Sequence, residues 1–348
     1  MGRACSRLPL GNSPSPCVPF RWAEKGLTTA VKLRLGRLFV FILPVLGGIC
    51  LIGSQAEAQK IVIVTADTLT ATQRSVSGVK SVIRSSNPNT QFIEILLNPS
   101  DPQSARLRDS IRVVHPNLLV TTGTDATEFA KANFTDIPIV FSSVMYPVVS
   151  GFVETFNRPG GNITGASLSI PPRIQFDYFK TIVPNLKTIG LLYSSNTASM
   201  IPPAQVVARS CGLELIALKV DSGKDLAARL DSITKVAQGL WSLADPSLFT
   251  PQSTKYILIN ALRRGTPFMG FSRILVESGA LFALDFDYKA VGRQAGEIVC
   301  QILKGAHPAN VSVTTPDIVW FHYNEKTAQH MAIKMPDSLV AVAKEVYR

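Results

Sequence analysis

A chain of 348 residues that is 46% hydrophobic can bury two cores of ordinary domain size. Its formal charge is +11, but residues 1–58 hold seven basic and two acidic side chains, which leaves +6 on the remaining 290 residues. That is too dilute for the concentrated basic face of a nucleic-acid-binding surface.

The amino terminus reads as a leader. The first 30 residues contain Pro9, Pro14, Pro16 and Pro19 and no pattern that would pack. Lys32, Arg34 and Arg37 then precede an apolar run from Leu38 to Ile52, and Ala56-Glu57-Ala58 offers a small-x-small cleavage site before Gln59. Basic flank, short apolar run and small residues are the order of a secretory signal peptide. The run is 15 residues long and interrupted by Pro44, Gly47 and Gly48; a bilayer span needs about 20. Residues 1–58 are therefore expected to be leader and signal peptide, cleaved near Ala58, with the mature protein in the periplasm. A natural initiator is expected near Val31, because the leader exceeds the usual signal length. Ile49 before Cys50 argues against a lipid anchor.

From Lys60 the chain alternates short apolar runs with helical segments. Strands are predicted at 61–64, 92–97, 118–120 and 137–141, and helices at 69–85, 103–114 and 125–133. The pattern then starts again: strands at 188–193, 213–219, 239–243 and 267–271, and helices at 204–211, 224–235 and 251–264, with Gly212 as a C-terminal stop. Strands separated by helices of this length build parallel sheets, so the fold class is α/β with two doubly wound lobes. The strand 137–141 runs into Ser142 and Ser143, and Gly160-Gly161-Asn162-Ile163-Thr164-Gly165 reads as a flexible break after it. Hydroxyls at a strand end beside a break between lobes point to a ligand cleft.

Three segments resemble a known family: PIVFSSVMYPV at 138–148, GGNITGAS at 160–167 with KTIGLLYSSNTAS at 187–199, and ALFALDFDYKAVGRQAGEIVCQILKGAHP at 280–308. They are similar to the substrate-binding proteins of bacterial ABC transporters with the type 1 periplasmic-binding fold, in the branch with members for tryptophan and other aromatic amino acids. The resemblance implies a hinge of three crossovers, the second followed by a strand over 281–286 and a helix over 288–303. It assigns 59–165 and 281–306 to lobe one, 166–280 and 307–348 to lobe two, and hinge positions to Gly165 and Gly279. It also sets Cys211 and Cys300 in different lobes, where a bridge would lock the cleft, so both are read as buried thiols.

The candidate ligand contacts are polar groups at strand ends. Thr65 and Asp67 follow the first strand. Thr122 and Thr124 follow the third, where Asp125 and Glu128 have the spacing of a capping box and free amides would meet a carboxylate oxygen. Ser142, Ser143 and Tyr146 follow the fourth; the resembled family usually has an aspartate where Tyr146 stands, and Tyr146 is read as stacking on a flat ligand or closing the cleft by a hydrogen bond. In lobe two, Ser195 and Asn196 occupy a loop that is acidic in many relatives. Asp245 is the remaining partner for an ammonium group, or else a helix cap before Pro246. Asp287 is read as ligand contact, hinge or cap.

The four histidines, His115, His307, His322 and His330, adjoin no nucleophile motif, and neither GxSxG nor a phosphate loop occurs. The chain is therefore read as a binding protein and not an enzyme, with no cofactor and no metal. The expected partners are a small organic, amino-acid-like ligand and, from the resemblance, a membrane permease with its ATPase. The chain would meet the membrane only through the permease, as a monomer. A sensor feeding a membrane histidine kinase and a secreted hydrolase are the alternatives.

Overall fold

The computed structural model describes residues 58–98 and 104–348. The expected leader, Cys5, Cys17 and Cys50 lie outside the described residues. Strands β1 (Lys60–Thr65), β2 (Gln91–Leu96), β3 (Leu118–Thr122), β4 (Ile139–Val144) and β5 (Ile163–Ser167) form a sheet in the order β2-β1-β3-β4-β5. All its pairings are parallel. Helices α1 (Thr70–Ser86), α2 (Ser104–Val114) and α3 (Thr124–Asn133) connect the strands. The Ile61-Val62-Ile63-Val64 run is apolar throughout because both faces of β1 are covered. Ile61 and Ile63 pack in one core cluster with Val76 and Val79 of α1; Val62 and Val64 pack in another with Ala126 and Phe129 of α3.

The second sheet has seven strands. They are β6 (Thr188–Tyr193), β7 (Glu214–Lys219), β8 (Gly239–Trp241), β9 (Phe268–Gly270), β10 (Phe282–Phe286), β11 (Val319–Asn324) and β12 (Ala343–Tyr347), in the order β12-β11-β10-β9-β8-β6-β7. Only β10–β11 is antiparallel. Around it lie α4 (Pro172–Ile182), α5 (Ile201–Ser210), α6 (Gly223–Val236), α7 (Pro251–Arg263), α8 (Arg273–Glu277), α10 (Glu325–His330) and α11 (Asp337–Val342). Helix α9 (Tyr288–Leu303) belongs to the first lobe, where Val291, Ala295 and Ile298 join the α1 side of the core. Glycine makes that packing possible: a Cβ at Gly292 would collide with the Ser75 carbonyl, and one at Gly78 with the Lys289 carbonyl. This is the packing reason that a helix-interior glycine requires.

The crossings fall later in the chain than expected. Gly165 lies inside β5, paired with Phe141 of β4, and its carbonyl accepts from the Thr314 amide at 3.0 Å. A side chain there would strike the Phe141 carbonyl, so the glycine serves close packing. The first crossing is the segment 168–171, between β5 and α4. Strand β10 does not return to lobe one, because Phe282 pairs with Met269 and Tyr323 in the second sheet. The second crossing is therefore at Asp287. The tail does not leave lobe one at His307 either: Val311 and Val313 are buried in its cores, and Thr314 bridges to Ala166. The third crossing is 315–318. Gly279 sits within lobe two, in the turn between α8 and β10, at φ 116°, a backbone angle that suits glycine.

The glycine-rich stretch 160–165, read as a break, is thus half loop and half strand. The capping box at Asp125 is not formed: α3 starts at Thr124 after Gly123, without a side-chain cap. Cys211 and Cys300 are free and buried. Among the described residues, no helix is long and apolar enough to cross a membrane.

Candidate functional site

A cavity of about 710 Å³ opens between the lobes. Lobe one supplies Met145, Tyr146, Val148, Val149 and Phe156; lobe two supplies Ser199, Met200, Pro203, Ala204, Val207, Trp241, Ser242, Leu243, Ala244 and Phe271. The crossings supply Leu168, Ser169, Ile170, Pro171 and Thr315, and the end of β10 supplies Phe286. The lobe walls thus follow the carboxyl ends of β4, β6, β8 and β9, where open α/β sheets bind ligands. The lining is mostly aliphatic and aromatic, and none of its side chains is charged.

Its few polar side chains are largely occupied. The Gln175 amide donates to the Ile170 carbonyl at 2.7 Å, and its oxygen accepts from Trp241 Nε1 at 2.7 Å. That pair fixes the indole at the edge of the cavity, with Phe176 edge-on to it at 5.0 Å. Ser242 donates to the Met269 carbonyl at 2.8 Å. Ser169 accepts from the Tyr146 amide at 3.1 Å and bonds the Ser167 hydroxyl at 2.9 Å.

Tyr146 is the one expected contact that lines the cavity. It stands in the left-handed region at φ 53°, shortly after Ser143 at φ 61°. Ser143 falls where the β4 register shifts, an extra residue that bends the strand end. The bend lets the Tyr146 hydroxyl cross the cleft and accept the Ala244 amide of lobe two at 3.0 Å. Burial pushes the phenol up to about 12, against the Ala244 hydrogen bond and with the help of the nearby Asp245 charge, so it stays neutral.

Six of the other expected contacts, Asp67, Ser142, Ser143, Asn196, Asp245 and Asp287, bond to groups of the protein itself. Asp245 is 1% exposed. Its carboxylate accepts from the Ser194 amide at 3.1 Å, the Thr197 hydroxyl at 2.8 Å and the Ser247 amide at 3.1 Å, tying the loop after β6 to the loop after β8. Asn196 adds a bond to the Ser247 hydroxyl at 2.7 Å, while Ser195 is exposed. Asp67 accepts from the Leu69 amide and the Thr72 hydroxyl at the start of α1. Asp287 caps α9 through the Lys289 amide and pairs with Arg74 at 2.9 Å. Ser142 and Ser143 both bond Ser75 of α1, at 2.7 and 3.1 Å. Thr65 is half-buried at the end of β1 and Thr124 is exposed. The Thr122 hydroxyl is buried without a partner among the described residues.

Sequence reasoning looked for polar strand ends and passed over the apolar wall. A signal was present: Trp241 ends strand β8, and Ser242-Leu243-Ala244 and Phe271 follow β8 and β9 at the positions where ligands sit.

The sequence model of a family described as ABC transporter substrate binding protein matches residues 57–347. A tyrosine-binding protein of Clostridioides difficile (strain R20291) is 26% identical over 216 residues, and the match spans 61% of this chain and 61% of that relative. A ligand-free, open substrate-binding protein with adhesive properties from Clostridium difficile superposes with a TM-score of 0.69 at 20% identity, over 84% of this chain and all of the other. A domain from Streptococcus pneumonia in complex with L-Trp gives 0.60 at 23%, over 83% of this chain and 99% of the other.

Proposed function

The chain belongs to the family of ABC transporter substrate-binding proteins, and from that premise we propose that it is exported and captures a small aromatic solute in the cavity between its lobes. The observation that carries the reading is the wall: Trp241, Phe271, Phe286, Phe156 and Tyr146 surround the space. Aromatic side chains favour offset-stacked or edge-on contact with a second ring, worth about 0.5–1.5 kcal/mol beyond the area buried. The names of the relatives, one for tyrosine and one solved with L-Trp, support an aromatic ligand. The lobes close over the solute by rotation at 168–171, Asp287 and 315–318, and the closed form hands it to a permease with its ATPase. Export follows from the leader, with the mature chain starting at Gln59.

Thermal denaturation against a panel of aromatic, aliphatic and sugar ligands tests this. An aromatic ligand at 100 times its Kd stabilises by about 2.7 kcal/mol. Stabilisation by sugars or aliphatic amino acids, with none by aromatics, overturns the reading. Export has its own check: a protein recovered from the periplasm with Arg34 and Leu38 still attached, as seen by mass spectrometry, contradicts cleavage before Gln59.

A further inference from the structure

One side chain outside the cavity joins lobe one to two of the three crossings. Arg74 stands near the start of α1, in lobe one. Its guanidinium donates to Asp287 Oδ1 at 2.9 Å, and Asp287 is the second crossing. The same guanidinium lies 5.7 Å from the ring centre of Trp320, in β11 of lobe two, two residues beyond the third crossing. Lys344 of β12 holds that indole as well, with Nζ at 4.8 Å. Cations at this range are drawn to the electron-rich face of an indole. None of these four residues lines the cavity.

Contacts of this strength tune a balance between conformers better than they hold a fold. The Arg74 side chain is 46% exposed and that of Asp287 19%. An ion pair or cation–aromatic contact so open to water shifts an equilibrium by up to about fivefold. That is small against cooperative unfolding, but it is the scale on which a protein divides between two conformers close in free energy. Rotation at the crossings moves α1 of lobe one against β11 of lobe two, and so changes the distance from Arg74 to Trp320. In the conformer where the two meet, Tyr146 also bonds the Ala244 amide across the cleft. We propose that Arg74, Asp287, Trp320 and Lys344 form a clasp at the hinge that favours this conformer over the other end of the rotation. Apparent affinity scales with the fraction of molecules competent to bind, so the clasp acts on binding from outside the cavity. This rests on the reading that the lobes rotate at the crossings, and not on the class of the ligand.

The test reads the interlobe distance directly and needs no ligand. Spin labels are placed at Val113→Cys in α2 of lobe one and Val236→Cys in α6 of lobe two, side chains 78% and 55% exposed. The mature protein carries them with Cys211 and Cys300 replaced by alanine, and double electron–electron resonance gives the distance distribution. The parent should show one main distance. In Arg74→Ala and in Trp320→Leu a second distance should hold about a tenth of the molecules or more, with the melting temperature close to the parent's. Asp287→Asn keeps an amide oxygen to cap α9 and removes only the charge, so it should show the same second distance. Unchanged distributions in Arg74→Ala and Trp320→Leu overturn the clasp; a shift of the parent's distance by any ligand of the thermal panel would then leave hinge rotation standing. A distance that moves neither with the variants nor with the panel overturns rotation and clasp together. A second distance that appears only with a collapse of the melting temperature makes Arg74 a support of the fold, and overturns the clasp equally.

Discussion

The cavity wall and the layer of polar groups just behind it lie at the same strand ends and do opposite work. Behind the wall, Asp245 gathers Ser194, Thr197 and Ser247, and Ser75 gathers Ser142 and Ser143. These bonds fix the loops. In the wall, Trp241, Leu243, Phe271 and Phe286 face the space between the lobes. Chain position alone does not separate the two: Leu243 faces the cavity, while Asp245, two residues on, is buried among loop donors. A polar side chain at the end of a parallel strand can meet a ligand or anchor its own loop, and here most are anchors.

The largest effect that would break this comparison is expected at Asp245. Asp245→Ala strands three donors in a buried site. Hydrogen bonds to a charged group contribute about 1.5–3 kcal/mol each, so a loss of about 3 kcal/mol or more in chemical denaturation is expected. Affinity for an aromatic ligand, measured well below the melting temperature, should change by less than about threefold, under 0.7 kcal/mol. A large affinity loss with unchanged stability would move Asp245 from anchor to ligand contact.

Gly165→Val comes next. The added side chain meets the Phe141 carbonyl inside a sheet, and overpacking of this kind costs about 1–3 kcal/mol. Urea denaturation should show that loss. Unaltered stability with altered affinity would restore Gly165 to the hinge.

Tyr146→Phe removes the hydroxyl that crosses the cleft, at about 0.5–1.5 kcal/mol. Its pH signature is sharper than its size. Burial pushes the folded phenol up to about 12, above the ordinary tyrosine range. The neutral form is therefore favoured by folding, and the associated stability is complete below pH 10 and lost as pH rises toward 12. The difference in melting temperature between wild type and Tyr146→Phe should shrink across that window; a constant difference would mean that the phenol is not held neutral.

The smallest effect concerns His322. Burial between β10 and β12 pulls its pKa below 6.5, against the opposing pull of Asp285 and Glu345 and in line with the smaller effects of Arg273 and Lys344. A depressed histidine contributes stability above its unfolded pKa that is lost as pH falls through the folded value. Wild type should lose stability below about pH 6.5 more steeply than His322→Phe, by thermal denaturation at each pH. Parallel curves would exclude His322 as the source.

Much of the fold was legible. The strand 188–193 matches its predicted limits, because a short, mainly apolar run leaves little choice, and the helix 288–303 matches the limits that the resemblance implied. Strand β5 was not legible: Gly160, Gly161 and Gly165 look alike in sequence, yet the first two precede the strand and the third lets its neighbour's backbone approach. The exchange of β10, α9 and the tail between lobes depends on which sheet edge is free, and no local pattern records that. At the site, residue type pointed to polar strand ends. Only the hydrogen-bond partners reveal that Asp245, Asp67 and Asp287 are already engaged, and only packing reveals that Trp241 is a wall.

The most direct measurement uses that wall. In the mature chain from Gln59, replacing Trp320 by phenylalanine leaves Trp241 as the single indole. Titrating this variant with an aromatic ligand that calorimetry shows to bind, exciting only the indole, should give a saturable change in Trp241 emission at the calorimetric Kd. Binding confirmed by heat with Trp241 emission unchanged through saturation would place the ligand elsewhere and contradict the assignment of the interlobe cavity.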